Sequence, residues 1–226
     1  MAAFLEDLCD PYYVEVQGQY RNPACLRLGQ VCWAPVAFTE EQHRFWRPAN
    51  YDDTRTCASQ FAIVNGAPDL YNRALPLQAP PLETTEEFLV VRSKRRPVVL
   101  LAFPRADVPL RYRHHILAAP CFSVLKKESD LPKIPPDQLL RIRSLEFPEV
   151  FFLPGCPPRL EKDNVLRLNL MQPIARGHLD PTPIELSPDV LQVLLGQLEH
   201  CLTGRYETPY STAREMLLQE NFPART

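Results

Sequence analysis

Several features that identify common protein classes are missing from this sequence of 226 residues. The formal net charge is −2 with neutral histidines, so composition gives no argument for a nucleic-acid-binding surface spread over the whole protein. No apolar run approaches the roughly 20 residues of a membrane-spanning helix. The first residues include acidic side chains where a secretory signal peptide carries cations. We therefore expect a soluble, cytoplasmic protein in which any anion-binding site is local.

Metal-binding and disulfide signatures are also absent. The seven cysteines form no CxxC pair, and none is spaced with histidine as zinc ligands are. We interpret them as reduced thiols that are mostly buried. The sequence thus predicts no metal site and no other cofactor.

Proline is abundant where glycine is scarce, with 25 prolines against 7 glycines. Proline interrupts helices and is confined to sheet edges and strand starts. The aliphatic and aromatic content is too high for a disordered chain. The composition therefore predicts short elements joined by long ordered loops.

The most informative stretch spans residues 92–103. It begins with four cations: Arg92, Lys94, Arg95 and Arg96. Pro97 follows, and then an apolar run that is typical of a buried strand. We expect a hairpin with the cations at its tip, between strands 88–91 and 97–103. The cations are interpreted either as a solvated turn or as an anion site, in which Pro97 restricts the backbone and directs Arg96.

Periodicity predicts the remaining elements. We expect strands at 30–36, 115–119, 149–153 and 164–175, and helices at 188–203 and 213–221, with Ser187 and Thr212 as their N-caps. His114 and His115 are adjacent, so in a regular strand they face opposite sides and cannot chelate one metal. Each is either a structural or surface histidine, or one of them faces a site.

Five segments in a fixed order carry a resemblance to a known family. They are 28–33, 95–100, 118–123, 168–175 and 186–191, which opens with Leu-Ser-Pro. Together they resemble the MazF/PemK toxin-like family, small β-barrels that cleave single-stranded RNA. The resemblance implies a mainly β fold with C-terminal helices, built as a small SH3-like, PemK-type β-barrel with long proline-rich insertions. It implies these boundaries: an N-terminal extension at 1–25, a barrel domain at 26–205 with insertions at 38–84 and 126–146, and a helical tail at 206–226.

The family's reaction needs no metal, because the ribose 2′-OH attacks the adjacent phosphorus with the help of a base, an acid and cations. The arginine before proline falls on Arg96, which the resemblance makes a phosphate clamp and candidate acid. Ser123 would bind the phosphate or orient water. His114 or His115 would substitute for the base.

This sequence departs from the family pattern at three places. Phe122 occupies the place that threonine usually holds, and Val91 stands where some members carry an acidic residue. The family's Asp-Gln pair in the later strand reads Met171-Gln172. The nearest carboxylates are Glu86 and Glu87. Two functions therefore stay open: a metal-independent endoribonuclease, and a catalytically degenerate module that binds RNA or a protein. A purely structural domain of a larger system is a third, more distant option.

The resemblance also implies partners. Single-stranded RNA would lie along a groove lined by Arg92, Lys94, Arg95, Gln172 and Arg176. A homodimer and an antitoxin-like protein partner are further expectations.

Overall fold

The structure is a computed structural model, and it describes residues 2–41, 44–48, 61–65, 89–105, 107–109, 113–126 and 131–223. The chain divides into a larger unit, residues 1–36 with 95–226, and a smaller unit, residues 37–94. Mainly antiparallel β-structure with a few helices is present, as the sequence predicts.

The strands are numbered in chain order. They are β1 (Tyr13–Glu15), β2 (Gln30–Ala37), β3 (Arg44–Pro48), β4 (Phe61–Asn65), β5 (Leu89–Val90), β6 (Ser93–Ala102), β7 (His115–Ser123), β8 (Val150–Leu153), β9 (Asn164–Arg167), β10 (Gln172–Ala175) and β11 (Asp180–Leu186). The α-helices are α1 (Leu5–Leu8), α2 (Pro136–Arg143), α3 (Pro188–Thr203) and α4 (Tyr210–Asn221).

The main sheet has the order β1-β11-β2-β6-β7-β9-β8, and β10 also pairs with β7. Its central strand β6 is buried on both faces, which explains its continuous apolar run. Val99 and Leu101 belong to the same buried cluster as Leu194 of α3, whereas Val98 and Leu100 belong to a cluster with other β2 and β7 side chains. A separate small sheet has the order β4-β3-β5.

The main sheet is open in the described residues, so the expectation of a closed β-barrel is wrong for this part of the chain. Its two ends, β1 and β8, have no backbone ladder between them, but tyrosine hydroxyls connect the two regions. Tyr12 Oη donates to the carbonyl of Phe152 at 2.6 Å, and Tyr13 Oη donates to that of Pro154 at 2.8 Å. Burial raises the pKa of Tyr12 well above its usual value, which keeps this hydroxyl a donor.

The basic segment is part of a strand and does not form the tip of a hairpin. β6 begins at Ser93 and continues through the cations, while β5 pairs with β3 in the small sheet. The residue before a proline prefers extended backbone, so Arg96 and Pro97 continue a strand without distortion. Residue 88, where the predicted partner strand began, lies outside the described residues.

Helix α3 confirms its predicted bounds. Ser187 Oγ accepts from Val190 N at 3.5 Å, and Gly204 adopts a left-handed φ of 74° at the C-terminal end. Helix α4 begins at Tyr210 and not at residue 213, so Thr212 lies inside the helix and is not its cap. The earlier start places the Tyr210 ring in the core, where it is fully buried.

Both chain ends belong to the larger unit. The predicted extension 1–25 contains β1, which pairs with β11, and the predicted tail 206–226 contains α4, which packs on α3. The predicted insertion 38–84 falls within the smaller unit. The predicted insertion 126–146 contains α2.

Candidate nucleic-acid interface

Arg96 lies half-buried on β6 against an aromatic ring. Its guanidinium carbon is 4.3 Å from the centroid of the Phe122 ring. Burial lowers the pKa of Arg96 from its ordinary value. The aromatic residue that replaces the family's threonine therefore packs on the arginine that the resemblance makes a phosphate clamp.

Ser123 is engaged in a local turn next to Phe122. Its Oγ donates to the carbonyl of Leu125 at 3.1 Å and accepts from Leu125 N at 3.2 Å. Because Phe122 contacts Arg96, and neighbouring strand residues face opposite sides, the Ser123 hydroxyl is directed away from Arg96. The structure does not bring these two predicted catalytic groups together.

His114 and His115 are exposed at the other end of β7. His115 and Phe122 are seven positions apart along this strand, a distance of about 23 Å at the usual rise per residue. Neither imidazole is therefore positioned to act as a base on a phosphate held by Arg96. The carboxylates at 86 and 87 lie outside the described residues.

Gln172 and Arg176 lie near the end of β7 that carries the two histidines. Gln172 is the partner of Ala118 in the pairing of β10 with β7, and Arg176 N donates to the carbonyl of His114 at 2.8 Å. The Arg176 guanidinium lies 5.7 Å from the centroid of the Phe103 ring. These two predicted RNA contacts are thus grouped with the histidine end of β7.

Arg92 and Lys94 belong to the smaller unit. Arg92 Nη1 is 2.9 Å from Glu41 Oε1, and the guanidinium lies 5.4 Å from the centroid of the Phe38 ring. Lys94 is exposed. Arg92 is therefore held by a local ion pair and ring contact.

Arg95 lies in a polar cleft of the larger unit, with a volume of about 240 Å³. The charged and aromatic side chains that line this cleft are Tyr20, Arg21, Trp33, Arg95, Arg159 and Asp180. Three arginines against one aspartate make the cleft basic, although the whole chain is almost neutral. We call this the Arg95 cleft.

Cations and aromatic rings are in contact within the Arg95 cleft. The Arg95 guanidinium lies over the Trp33 ring, 5.4 Å from its centroid, and also forms an ion pair with Asp180. The Arg21 guanidinium lies 5.6 Å from the centroid of the Tyr20 ring. Such pairs combine phosphate neutralisation with a surface on which bases stack.

The β2–β11 pairing builds this cleft. Trp33 and Asp180 are direct partners in that pairing. Gln30, also on β2, is fully buried, and its Nε2 donates to the carbonyl of Thr182 at 3.0 Å. Thr182 Oγ1 in turn donates to the carbonyl of Val31 at 2.6 Å. These buried bonds tie the two strands together close to the cleft.

Sequence reasoning found Arg95 but missed its neighbours. The missed residues are Tyr20, Arg21, Trp33, Arg159 and Asp180. The adjacent aromatic and basic residues at 20 and 21 were a weak local signal. The pairing of β2 with β11 joins distant parts of the chain, and no local pattern reports it.

Comparison with known proteins adds no assignment, because no protein-family model and no curated protein matches this sequence. Within the described ranges, no three His, Cys, Asp or Glu side chains are grouped to hold a metal ion. No helix in the described part of the chain is long and apolar enough to cross a membrane.

Proposed function

We propose that this protein is a PemK-like module that binds single-stranded RNA without cleaving it, through the Arg95 cleft. The observation that carries the proposal is the concentration of three arginines and two aromatic rings around one cleft. Single-stranded RNA is recognised by aromatic or guanidinium stacking together with cationic contacts to the backbone. The relation to the PemK type is part of this proposal and rests on the five resembling segments, because the main sheet is open in the described residues.

The absence of cleavage follows from the predicted catalytic residues. The Arg96 guanidinium packs on Phe122, and the Ser123 hydroxyl donates a hydrogen bond to the Leu125 carbonyl. The histidines lie about 23 Å along β7 from Phe122. Acid–base groups contribute typically 10²- to 10⁴-fold in rate, but only within hydrogen-bond reach of the reacting atoms.

The test is fluorescence anisotropy of a labelled 12-nucleotide RNA over a range of salt concentrations. Three phosphate contacts predict a slope of log affinity against log salt of about −2. Duplex RNA is expected to bind more weakly because its bases are not available for stacking.

A triple variant, Arg21→Gln/Arg95→Gln/Arg159→Gln, is expected to lose affinity by at least about tenfold. The matched control is Arg105→Gln/Arg141→Gln/Arg205→Gln, which removes the same charge at exposed positions outside the cleft. Equal losses in the two triple variants, or no binding by the unaltered protein, would contradict the proposal.

An endoribonuclease is the second candidate, and the environment of Arg96 favours it. Burial lowers the pKa of Arg96 but leaves the guanidinium cationic, so it would still stabilise the negative charge of a reacting phosphate. Incubation with a long single-stranded RNA in EDTA decides between the two functions. Cleavage that survives EDTA and disappears in Arg96→Ala would establish the nuclease, whereas our proposal predicts intact RNA.

A further inference from the structure

Trp33, Arg95 and Asp180 form a layered arrangement in the Arg95 cleft. The Arg95 guanidinium lies over the indole and donates from Nη2 to Oδ2 of Asp180. Trp33 and Asp180 are partners in the β2–β11 pairing. The strand pairing therefore keeps residues 33 and 180 side by side on the backbone whether or not Arg95 lies between their side chains.

The group that Arg95 places in this arrangement is chemically similar to one edge of guanine. A guanidinium is planar and presents neighbouring N–H donors. Guanine presents N1–H and its N2 amino group side by side on its Watson–Crick edge. A carboxylate, which accepts two hydrogen bonds and donates none, matches that pair of donors. Adenine, cytosine and uracil present no such adjacent pair on this edge.

We propose that a guanine base of single-stranded RNA takes the place that Arg95 occupies in this structure. The base stacks on Trp33 and donates N1–H and N2–H to Asp180, while Arg95 moves to a neighbouring phosphate. This inference rests on the proposed RNA-binding function and adds a base preference to it.

The exposure of the Arg95–Asp180 ion pair makes the exchange feasible. Each of the two side chains is 65% exposed, so a ligand reaches the pair from solvent. Exposed ion pairs stabilise a protein little, so displacing Arg95 has a small cost. Arg95 also has a new partner after the exchange, because RNA brings a phosphate next to every base.

The size and charge of the cleft fit one nucleotide. Its volume of about 240 Å³ is below the range of about 300–1,000 Å³ that is usual for drug-sized ligands. Arg21 and Arg159 line the same cleft and are available for the phosphates on either side. One base is therefore read in the cleft, and its neighbours are held through their backbone.

The alternative role for Asp180 is simple competition, in which its carboxylate only occupies Arg95 in the absence of RNA. The two roles predict opposite results for Asp180→Asn. Loss of a base reader removes the preference for guanine, whereas loss of a competitor raises affinity for every sequence equally.

The test compares uridine-rich 9-nucleotide RNAs that differ at one central position, which is G, A, C, U or inosine. Unaltered protein is expected to bind the G oligonucleotide about 5- to 10-fold more tightly than the A, C and U oligonucleotides. This factor lies in the lower range of the discrimination that a bidentate base contact provides. Inosine lacks the N2 amino group and is expected to fall between them. In Asp180→Asn the five affinities should become equal within about twofold.

Two variants serve as controls. Asp107→Asn removes another exposed aspartate that forms an ion pair with an arginine, Arg105, at 3.2 Å. It should keep the guanine preference. Arg95→Ala should lower the affinity for all five RNAs but also keep the preference, because Arg95 leaves the base site in the bound state.

Four outcomes overturn the inference. A guanine preference that persists in Asp180→Asn, or a uniform gain of affinity in that variant, removes Asp180 as the reader. Binding by the unaltered protein with no base preference also overturns the inference but leaves the proposed RNA binding intact. No binding of any RNA overturns both.

Discussion

Arg95 and Arg96 are neighbours in the chain but occupy different environments. Arg95 is largely exposed, lies over Trp33 and pairs with Asp180 in a basic cleft. Arg96 is half-buried against Phe122. Because consecutive strand residues face opposite sides, one strand supplies a ligand-accessible arginine on one side and a packed arginine on the other.

The difference shows that a sequence motif and the folded structure can indicate different arginines as the RNA-binding residue. An arginine before proline directs attention to Arg96, as the family resemblance does. The contacts of the folded chain instead favour Arg95, whose cleft contains two further arginines and two aromatic rings. Our account therefore assigns RNA binding to Arg95 and packing to Arg96.

The largest expected effect comes from breaking the strand pairing on which the comparison depends. Gln30→Leu removes the buried amide that donates to the Thr182 carbonyl and accepts from Arg27 N at 3.1 Å. Leaving these buried groups without partners is expected to lower the free energy of unfolding by about 2–3 kcal/mol. Urea denaturation measures this loss.

RNA affinity should fall in Gln30→Leu even where the protein is still folded, because Trp33 and Asp180 would lose their register. Thr203→Val is the control, since the Thr203 hydroxyl bonds at an exposed helix end, 2.8 Å from the Glu199 carbonyl. Unchanged stability in Gln30→Leu would show that the buried amide does not hold β2 against β11.

The second prediction separates the two arginines by affinity. Arg95→Ala is expected to weaken binding of single-stranded RNA about tenfold, because it removes a guanidinium that contacts a phosphate. Arg96→Ala should change the affinity by less than about twofold. Anisotropy titrations measure the RNA affinity of the two variants. A larger loss of affinity in Arg96→Ala than in Arg95→Ala would place the RNA-binding site at Arg96.

The third prediction separates the same variants by stability. Arg96→Ala is expected to lower the free energy of unfolding by about 1 kcal/mol, because it removes side-chain packing on Phe122. Arg95→Ala should change it by less than about 0.5 kcal/mol, as is usual for an exposed ion pair. Thermal or urea unfolding measures both values. A larger loss in Arg95→Ala would mean that its ion pair has a structural role.

The smallest expected effect distinguishes charge from shape at residue 95. Arg95→Lys keeps the positive charge but loses the planar guanidinium, which can hold a phosphate through two parallel hydrogen bonds. We expect affinity for single-stranded RNA to fall about threefold, less than in Arg95→Ala, with the salt dependence unchanged. Full affinity in the lysine variant would show that only the charge at this position matters.

Local patterns in the sequence were sufficient for several elements. The buried strand β2 and helix α3 with its Ser187 cap were predictable, because apolar periodicity and capping are properties of neighbouring residues. Arg95 could also be predicted as a candidate RNA contact, since it belongs to a dense basic segment.

The composition of the cleft was not predictable in the same way. Trp33 and Asp180 meet only because β2 pairs with β11, and a sequence pattern does not specify which strands pair. The same limit explains the open sheet, where Tyr12 and Tyr13 join the two end regions through hydroxyl contacts that no periodicity reports. It also explains why the distance between the histidines and Arg96 was not predictable, because that distance depends on how far β7 extends.

The most direct test follows the fluorescence of Trp33 while RNA is added. The chain contains two tryptophans, so Trp46→Phe leaves Trp33 as the single reporter. If a base stacks in the Arg95 cleft, Trp33 emission should be quenched in a saturable way that matches the anisotropy curve of the same RNA. Binding that is saturated by anisotropy while Trp33 emission stays constant would contradict the account, because the RNA would then lie elsewhere.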